Sequence, residues 1–324
     1  VNTEVVQPLS LERARWRNPL LVQVLAFAAI YLIWGSTYLA IRVGVRSLPP
    51  FLMAGCRFVV AGSALYAIMR ARGVARPTAR NWVRGGVAGL LMLTAGNGLV
   101  TWAEQRTASN LAALLVAAVP IYVALLDWLR PGGVAPQRRV LIGIGVGALG
   151  MALLVLREQP SGPGGAGGSG DLAATLALLL SGLCWAAGSL YSRYGTMHAN
   201  PLMAAAQQMI VGGATQLLLS VVRGEPGRLS ADALSGESLL AFAYLTIFGS
   251  LVAFSAFGWL VKASTPARLS TTAYVNPVVA VILGWAILGE TLSARAVAGA
   301  LLILCAVVVM TVTVPLRRAR LKPQ

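Results

Sequence analysis

The sequence predicts an all-α membrane protein of ten transmembrane helices, arranged as two inverted five-helix repeats. Three observations predict it. The 324 residues are 57% hydrophobic and only 11% charged, with a mean hydropathy of +0.74, too little charge to cover a soluble domain of this length. Apolar runs of about 20 residues, the length that crosses the hydrocarbon, recur along the whole chain. Rare residues also recur at constant spacing. Trp34 and Pro50 return as Trp185 and Pro201 at an offset of 151, and Trp102, Pro120 and Trp128 return as Trp259, Pro277 and Trp285 at an offset of 157. Such spacing is the mark of an internal repeat.

In chain order, a polar segment at 1–20 precedes spans near 21–45, 50–70, 82–103, 108–129 and 140–156. A second set follows near 172–193, 200–222, 239–261, 267–288 and 295–316, and a basic tail closes the chain at 317–324. The first repeat thus covers 21–156 and the second 172–316. Between them, 157–171 contains the tract PSGPGGAGGSGD, a Gly/Pro/Ser linker with nothing to pack. No cleavable leader is expected, because the first apolar run is too long for a signal h-region. Five spans per half is an odd number, so the second half enters the membrane from the opposite side, which makes the repeat inverted.

Loop charge sets the orientation. With the N-terminus inside, the cytoplasmic segments carry eighteen Lys and Arg residues, five of them at Arg70, Arg72, Arg76, Arg80 and Arg84, whereas the outer segments carry six. This is the positive-inside pattern, and it places both termini in the cytoplasm of a bacterial inner (plasma) membrane protein. The same distribution argues against nucleic acid as the partner of the +16 charge, since the arginines lie between apolar runs rather than on one face of a domain. Cys56, Cys184 and Cys305 fall singly inside apolar stretches and read as buried packing residues, not as a disulfide framework or a metal site.

The first span contains YLIWGSTYLAIRVG, rich in groups that lipid does not solvate. At 100° per residue Tyr31, Trp34, Gly35, Tyr38 and Arg42 share one face, and Leu32, Ile33, Leu39 and Ala40 lie elsewhere. A polar stripe on a spanning helix faces protein or water, because unsatisfied polar groups in hydrocarbon are costly. Thr94, Asn97, Thr101 and Glu104 form a like stripe in span three, Trp185, Gly188, Ser189 and Ser192 in span six, and Thr272 and Asn276 in span nine. The candidates for a substrate-binding cavity are therefore Trp34, Tyr38, Asn97, Trp185, Ser189, Thr272 and Asn276. Against this stand tight helix packing for the small residues and an interfacial belt for the tryptophans. Pro120 and Pro277 fall near the middle of spans four and nine, where each removes a helical hydrogen bond and bends its helix beside the cavity.

Arg57 lies seven residues beyond Pro50, about 10 Å along its helix, and needs a partner or water at that depth. With Glu104, and with Arg42 nearby, it is expected to form a polar outer vestibule; snorkelling to headgroups is the alternative. Asp127 precedes Arg130 by three residues and is expected to pair with it. No acid is expected at mid-membrane and the single histidine, His198, falls in a loop, so an enzyme, a cofactor and a metal site are not expected. A channel would show a ring of like residues or a filter loop; inverted repeats with mid-helix prolines favour a carrier instead.

The stretches YLIWGSTYLAIRVGVRSLPPFLMAGCRF, AGNGLVTWAEQ with ALLVAAVPIYVALL, and YVNPVVAVILGWAILGE resemble the paired signatures of the EamA family of the drug/metabolite transporter superfamily. The resemblance implies export of a small metabolite such as an amino acid by alternating access, with a central cavity between the halves; protons are a candidate coupling ion, for which the sequence offers no obvious buried carboxylate as carrier. A multidrug exporter is the alternative, and a channel-like or scaffold protein the remote one. It carries the proline-centred motifs onto Pro120 and Pro277, and the WGS motif onto Trp34, Gly35 and Ser36. The Gly-Glu that closes the motif after span four is replaced by Pro131 and Gly132, so Glu290 has no symmetric mate. Neither the substrate nor the oligomeric state follows from these residues.

Overall fold

The computed structural model describes residues 19–106, 115–155, 172–229, 234–288 and 294–311. The N-terminal segment up to residue 18, the linker at 157–171, Glu290 and the basic tail at 317–324 lie outside the described residues. All regular structure among the described residues is helical: α1 (Pro19–Gly44), α2 (Pro50–Ala71), α3 (Ala79–Ala103), α4 (Val119–Leu129), α5 (Arg138–Val155), α6 (Leu172–Tyr194), α7 (Pro201–Val222), α8 (Gly236–Ala263), α9 (Thr272–Leu288) and α10 (Ala294–Thr311), with a 3-10 turn at Pro226–Arg228 and a short helix at Pro266–Ser270 between α8 and α9. Of these, α1, α2, α3, α6, α7 and α8 are long and apolar enough to cross a membrane, and α4 and Val297–Met310 are shorter apolar helices.

Local chemistry explains where the helices begin. Pro50 and Pro201 sit in the first turns of α2 and α7, where a missing N–H costs nothing. The Asn200 side chain accepts from the Leu202 and Met203 N–H groups. Thr78 and Asn81 form a reciprocal capping box at the start of α3, and Ser235 caps α8.

The start of α2 has a partner from far along the chain. Glu225, 2% exposed, accepts the Leu52 N–H through Oε2 at 2.9 Å, placing a carboxylate at the positive end of the helix. Glu225→Ala is expected to lower stability by about 1 kcal/mol, the usual cost of a lost cap. A thermal midpoint in detergent equal to that of wild type would remove this contact from the account.

The helices pack in a definite pairing: α2 on α7, α5 on α10, α1 on α8 and α9, and α6 on α3 and α4. Glycine makes the first pairing close. A Cβ on Gly62 would lie 2.8 Å from Met209 Cβ, and one on Gly213 would lie 2.8 Å from the Val59 nitrogen. The largest buried cluster brings together Phe58, Met92, Met209, Phe254, Phe257 and Leu260. The outer surface is apolar as well, with Leu32 61% and Leu240 73% exposed, as a surface solvated by lipid requires.

Both α3 and α8 contain π-helical turns, at Leu90–Asn97 and Leu245–Val252. Such turns widen a helix locally and are frequent at functional sites.

Two details depart from expectation. Pro120 was placed in mid-helix, but the chain turns at 117–118 and Pro120 occupies the first turn of α4. The reason is the absent N–H and the clash of the ring with the carbonyl four residues back; Ala118 N–H bonds to Leu115 O at 3.2 Å, a tighter turn than an α-helix. Pro277, by contrast, lies inside α9. The cysteines are not all buried: Cys56 and Cys184 are half-buried and Cys305 is exposed, because each sits on the outward side of its helix.

Candidate functional site

The stripe on α1 turns inward from Tyr31 to Tyr38, but Arg42, expected on the same face, is exposed. Gly35 and Thr37 are buried while Leu32 and Leu39 face outward. Gly35 lets α9 approach closely, since a Cβ there would lie 2.5 Å from Val279 Cβ. Where α1, α2, α3, α4, α6, α8 and α9 converge they enclose a cavity of about 140 Å3. A water needs about 10–15 Å3 on this measure, so the space holds on the order of ten waters, the bulk of a small metabolite.

Trp34, Tyr38, Asn97, Trp185, Ser189, Thr272 and Asn276 all line this cavity. The two tryptophans meet edge to face, with centroids 5.5 Å apart and planes at 81°. Phe257 packs against both, at 5.2 Å from Trp34 and 5.4 Å from Trp185. Trp34 Nε1–H donates to the Gly249 carbonyl at 3.0 Å, which ties the cluster to the π-helical turns of α8.

The polar groups divide into satisfied and unsatisfied sets. Thr37, Ser181, Ser189, Ser270 and Thr272 each donate to a carbonyl three residues back, so their hydroxyls are taken by the nearby backbone. Asn276 Oδ1 is buried with no hydrogen-bond partner. Pro277 deprives the Ala273 carbonyl of its α-helical donor, and Ala273 lines the cavity. The prolines themselves do not line it.

Arg57 is 3% exposed and lines the cavity. Its Nη2 donates to Asn97 Oδ1 at 2.8 Å, its guanidinium lies 4.4 Å over the Phe58 ring, and its Nε has no partner. The expected Arg57–Glu104 contact takes a different form. Glu104 lies outside the cavity lining, both of its oxygens are buried without a hydrogen bond, and Arg57 and Arg42 act on it through their fields. The Arg130–Asp127 pair forms at 2.7 Å.

Several residues escaped the sequence reading. Arg193 lines the opposite end of the cavity and donates to the carbonyls of Val261, at 2.5 Å, and of Ser264. Its spacing of 151 from Arg42 was the available signal. Phe254 and Phe257, which no motif or stripe singled out, also line the cavity. Gln207, Gln208 and Gln216 are buried on α7; Gln208 donates to Ser192 and Gln216 to the Leu93 carbonyl. Three amides in one apolar helix were visible, but their partners were not.

A second cavity of about 300 Å3 lies beside the α6–α7 connection, lined by Ser192, His198, Gln208 and Lys262. Its polar groups are already engaged: His198 Nδ1 accepts the Asn200 N–H and Lys262 donates to the Arg193 carbonyl.

Comparison with known proteins agrees with this architecture. The model of the EamA-like transporter family matches residues 21–156 and again 172–312. The chain is 40% identical over 271 residues to the uncharacterized inner membrane transporter YedA of Escherichia coli K12, covering 83% of each chain. It is 28% identical over 284 residues to the chloroplastic WAT1-related protein At3g02690 of Arabidopsis thaliana, covering 86% of this chain and 66% of that one. A solved crystal structure superposes with a TM-score of 0.72 at 22% identity, over 90% of this chain and 96% of the other, and shows the same fold.

Proposed function

Because the chain belongs to the EamA-like transporter family, we propose that it is a secondary transporter of the bacterial inner membrane exporting a small metabolite, an amino acid or related compound, by alternating access. The observation that carries this reading is the cavity in which Trp34 and Trp185 meet, lined also by Asn276 with its unpartnered Oδ1.

Ten spans as two inverted five-helix repeats, 21–156 and 172–316 with both termini cytoplasmic, complete the proposal. Three features support it. The family model matches in two blocks. The π-helical turns Leu90–Asn97 and Leu245–Val252 lie 155 residues apart. The packing is also preserved when each helix is exchanged for the one five places on: α1 on α8 and α9 becomes α6 on α3 and α4, while the pairs α2–α7 and α5–α10 map onto themselves. Such symmetry allows one half to rock against the other around a fixed site.

The proposed cavity is symmetric in backbone but not in chemistry. Tyr38 faces Ser189 across the repeat, Asn97 has Phe254 as its mate, and Val119 has Asn276. A substrate carboxylate would meet Arg57, a donor would meet Asn276 Oδ1, and an apolar side chain would rest on the aromatic cluster. The apolar wall of Val119, Val123, Leu190 and Phe254 supports a second reading, a multidrug exporter.

Proteoliposomes assayed with a labelled amino-acid panel and a set of cationic drugs separate these readings. Saturable, selective amino-acid flux is the expected result. Drug flux alone selects the second reading, unsaturable flux a channel, and no flux of any compound a scaffold.

A further inference from the structure

Glu104 is the buried acid that the substrate cavity leaves unused. It follows the last residue of α3 directly, its N–H bonded to the Val100 carbonyl at 2.9 Å, and neither carboxylate oxygen has a hydrogen-bond partner. A buried carboxylate without donors is far costlier ionised than neutral. The groups acting on it are few. Arg57 approaches from α2, and Arg42 and Tyr38 from α1. From α6 the neighbours of this end of α3 are Ala174 and Leu178, and the sequence at 107–114 holds no ionisable side chain. Arg106, two residues on, lies 4.7 Å over the Trp102 ring.

Arg57 links this acid to the cavity. Its Nη2 is taken by Asn97 Oδ1, and its Nε is left free. Asn97 lies seven residues before Glu104 on the same helix, about 10 Å along the axis, and Arg57 and Asn97 both line the cavity.

We propose that Glu104 is the proton-binding site of transport and that Arg57 conveys its charge state to the cavity. In the protonated arrangement Glu104 is neutral, exerts little pull on Arg57, and leaves the guanidinium on Asn97 as in this structure, the amide oxygen then being closed to substrate. Loss of the proton turns the acid into a carboxylate that draws the Arg57 guanidinium off Asn97 Oδ1 and frees that oxygen for a substrate donor, with Arg57 still in the cavity wall to meet the substrate carboxylate. Proton and substrate therefore occupy the protein alternately, as antiport requires. In the export direction a proton from the outer side adds to a Glu104 oxygen and leaves to cytoplasmic water after the inward switch. This inference rests on the reading of the cavity as a substrate site; its test separates the two.

The full-length protein in liposomes is titrated by infrared spectroscopy, with Glu104→Gln and Glu104→Asp beside wild type. Wild type is expected to show a protonated-carboxyl band at pH 7, where an ordinary Glu with a pKa of about 4.3 is ionised. The band should be absent from Glu104→Gln and present in Glu104→Asp. Coincident wild-type and Glu104→Gln spectra overturn the proposal, whatever the substrate. In the amino-acid panel, one pH unit of gradient is expected to drive about tenfold accumulation per coupled proton in wild type and none in Glu104→Gln, whose neutral amide keeps Arg57 on Asn97. Gradient-driven accumulation in Glu104→Gln overturns it equally. If wild type carries none of the amino acids, the substrate assignment fails while the infrared result still decides the proton site.

Discussion

Gly89→Ala is expected to abolish stable folding, the largest single effect of any one-carbon change considered. A Cβ on Gly89 would lie 2.3 Å from the Gln208 carbonyl oxygen and 3.1 Å from its carbonyl carbon and Cα. Those are backbone atoms of α7, so no rotamer change can relieve the overlap, and the helices would have to separate. The same seam carries Gly212, whose Cβ would meet Gly89 O at 2.8 Å, and the Thr94 hydroxyl bonded to the Gly212 carbonyl at 3.0 Å. Overpacking ordinarily costs about 1–3 kcal/mol and more where backbone must move, and here it also displaces the π-helical turns that begin at Leu90. Gly145→Ala is the matched control. It lies inside α5 with nothing within 4 Å of the added carbon, so it should stabilise by about 0.5–1 kcal/mol. Thermal unfolding and yield in detergent measure both. A folded Gly89→Ala protein with the wild-type midpoint would refute the close approach of α3 to α7.

Trp185→Ala carries the second large effect, and it reaches both stability and transport. The ring packs between Trp34 and Phe257 at 5.5 and 5.4 Å and forms part of the cavity wall. Truncating a packed aromatic costs about 3–5 kcal/mol, and the enlarged cavity would no longer hold a small substrate against Asn276. Saturable flux should be lost even where folded protein is recovered. Trp185→Phe retains most of the packing and should recover stability. Trp34→Phe should not recover fully, because it also removes the donor to the Gly249 carbonyl, at about 1 kcal/mol. Equal midpoints for the two Phe variants would show that this hydrogen bond contributes nothing, and wild-type flux in Trp185→Ala would remove the aromatic wall from the substrate site.

The neighbouring residues of the cavity show how far a sequence reaches. Trp34, Tyr38 and Gly35 were legible because helical periodicity is a local property, and lipid punishes a polar stripe pointed at it. Trp185 and Ser189 followed from the repeat spacing, and the helix starts at Pro50 and Pro201 from the chemistry of a residue without an N–H. Pro120 marked an interruption correctly as a residue type, but whether the helix bends or stops depends on the donors available around it, and here it stops at 117–118. Arg193 and the phenylalanines 254 and 257 were missed, since nothing in the spacing of one helix tells which face of another will meet it.

What the amino-acid order determined by itself is the membrane character of this chain and most of the inward faces that carry polar groups. These rest on composition and on periods of a few residues, which no distant contact can change. What only the tertiary structure decided is partnership: Asn97 rather than Glu104 holds Arg57, Gly249 receives Trp34, and Glu104 is left with no donor. A hydrogen bond is settled by tenths of an ångström between helices far apart in the chain, and that distance is fixed by glycine contacts and ring packing acting together.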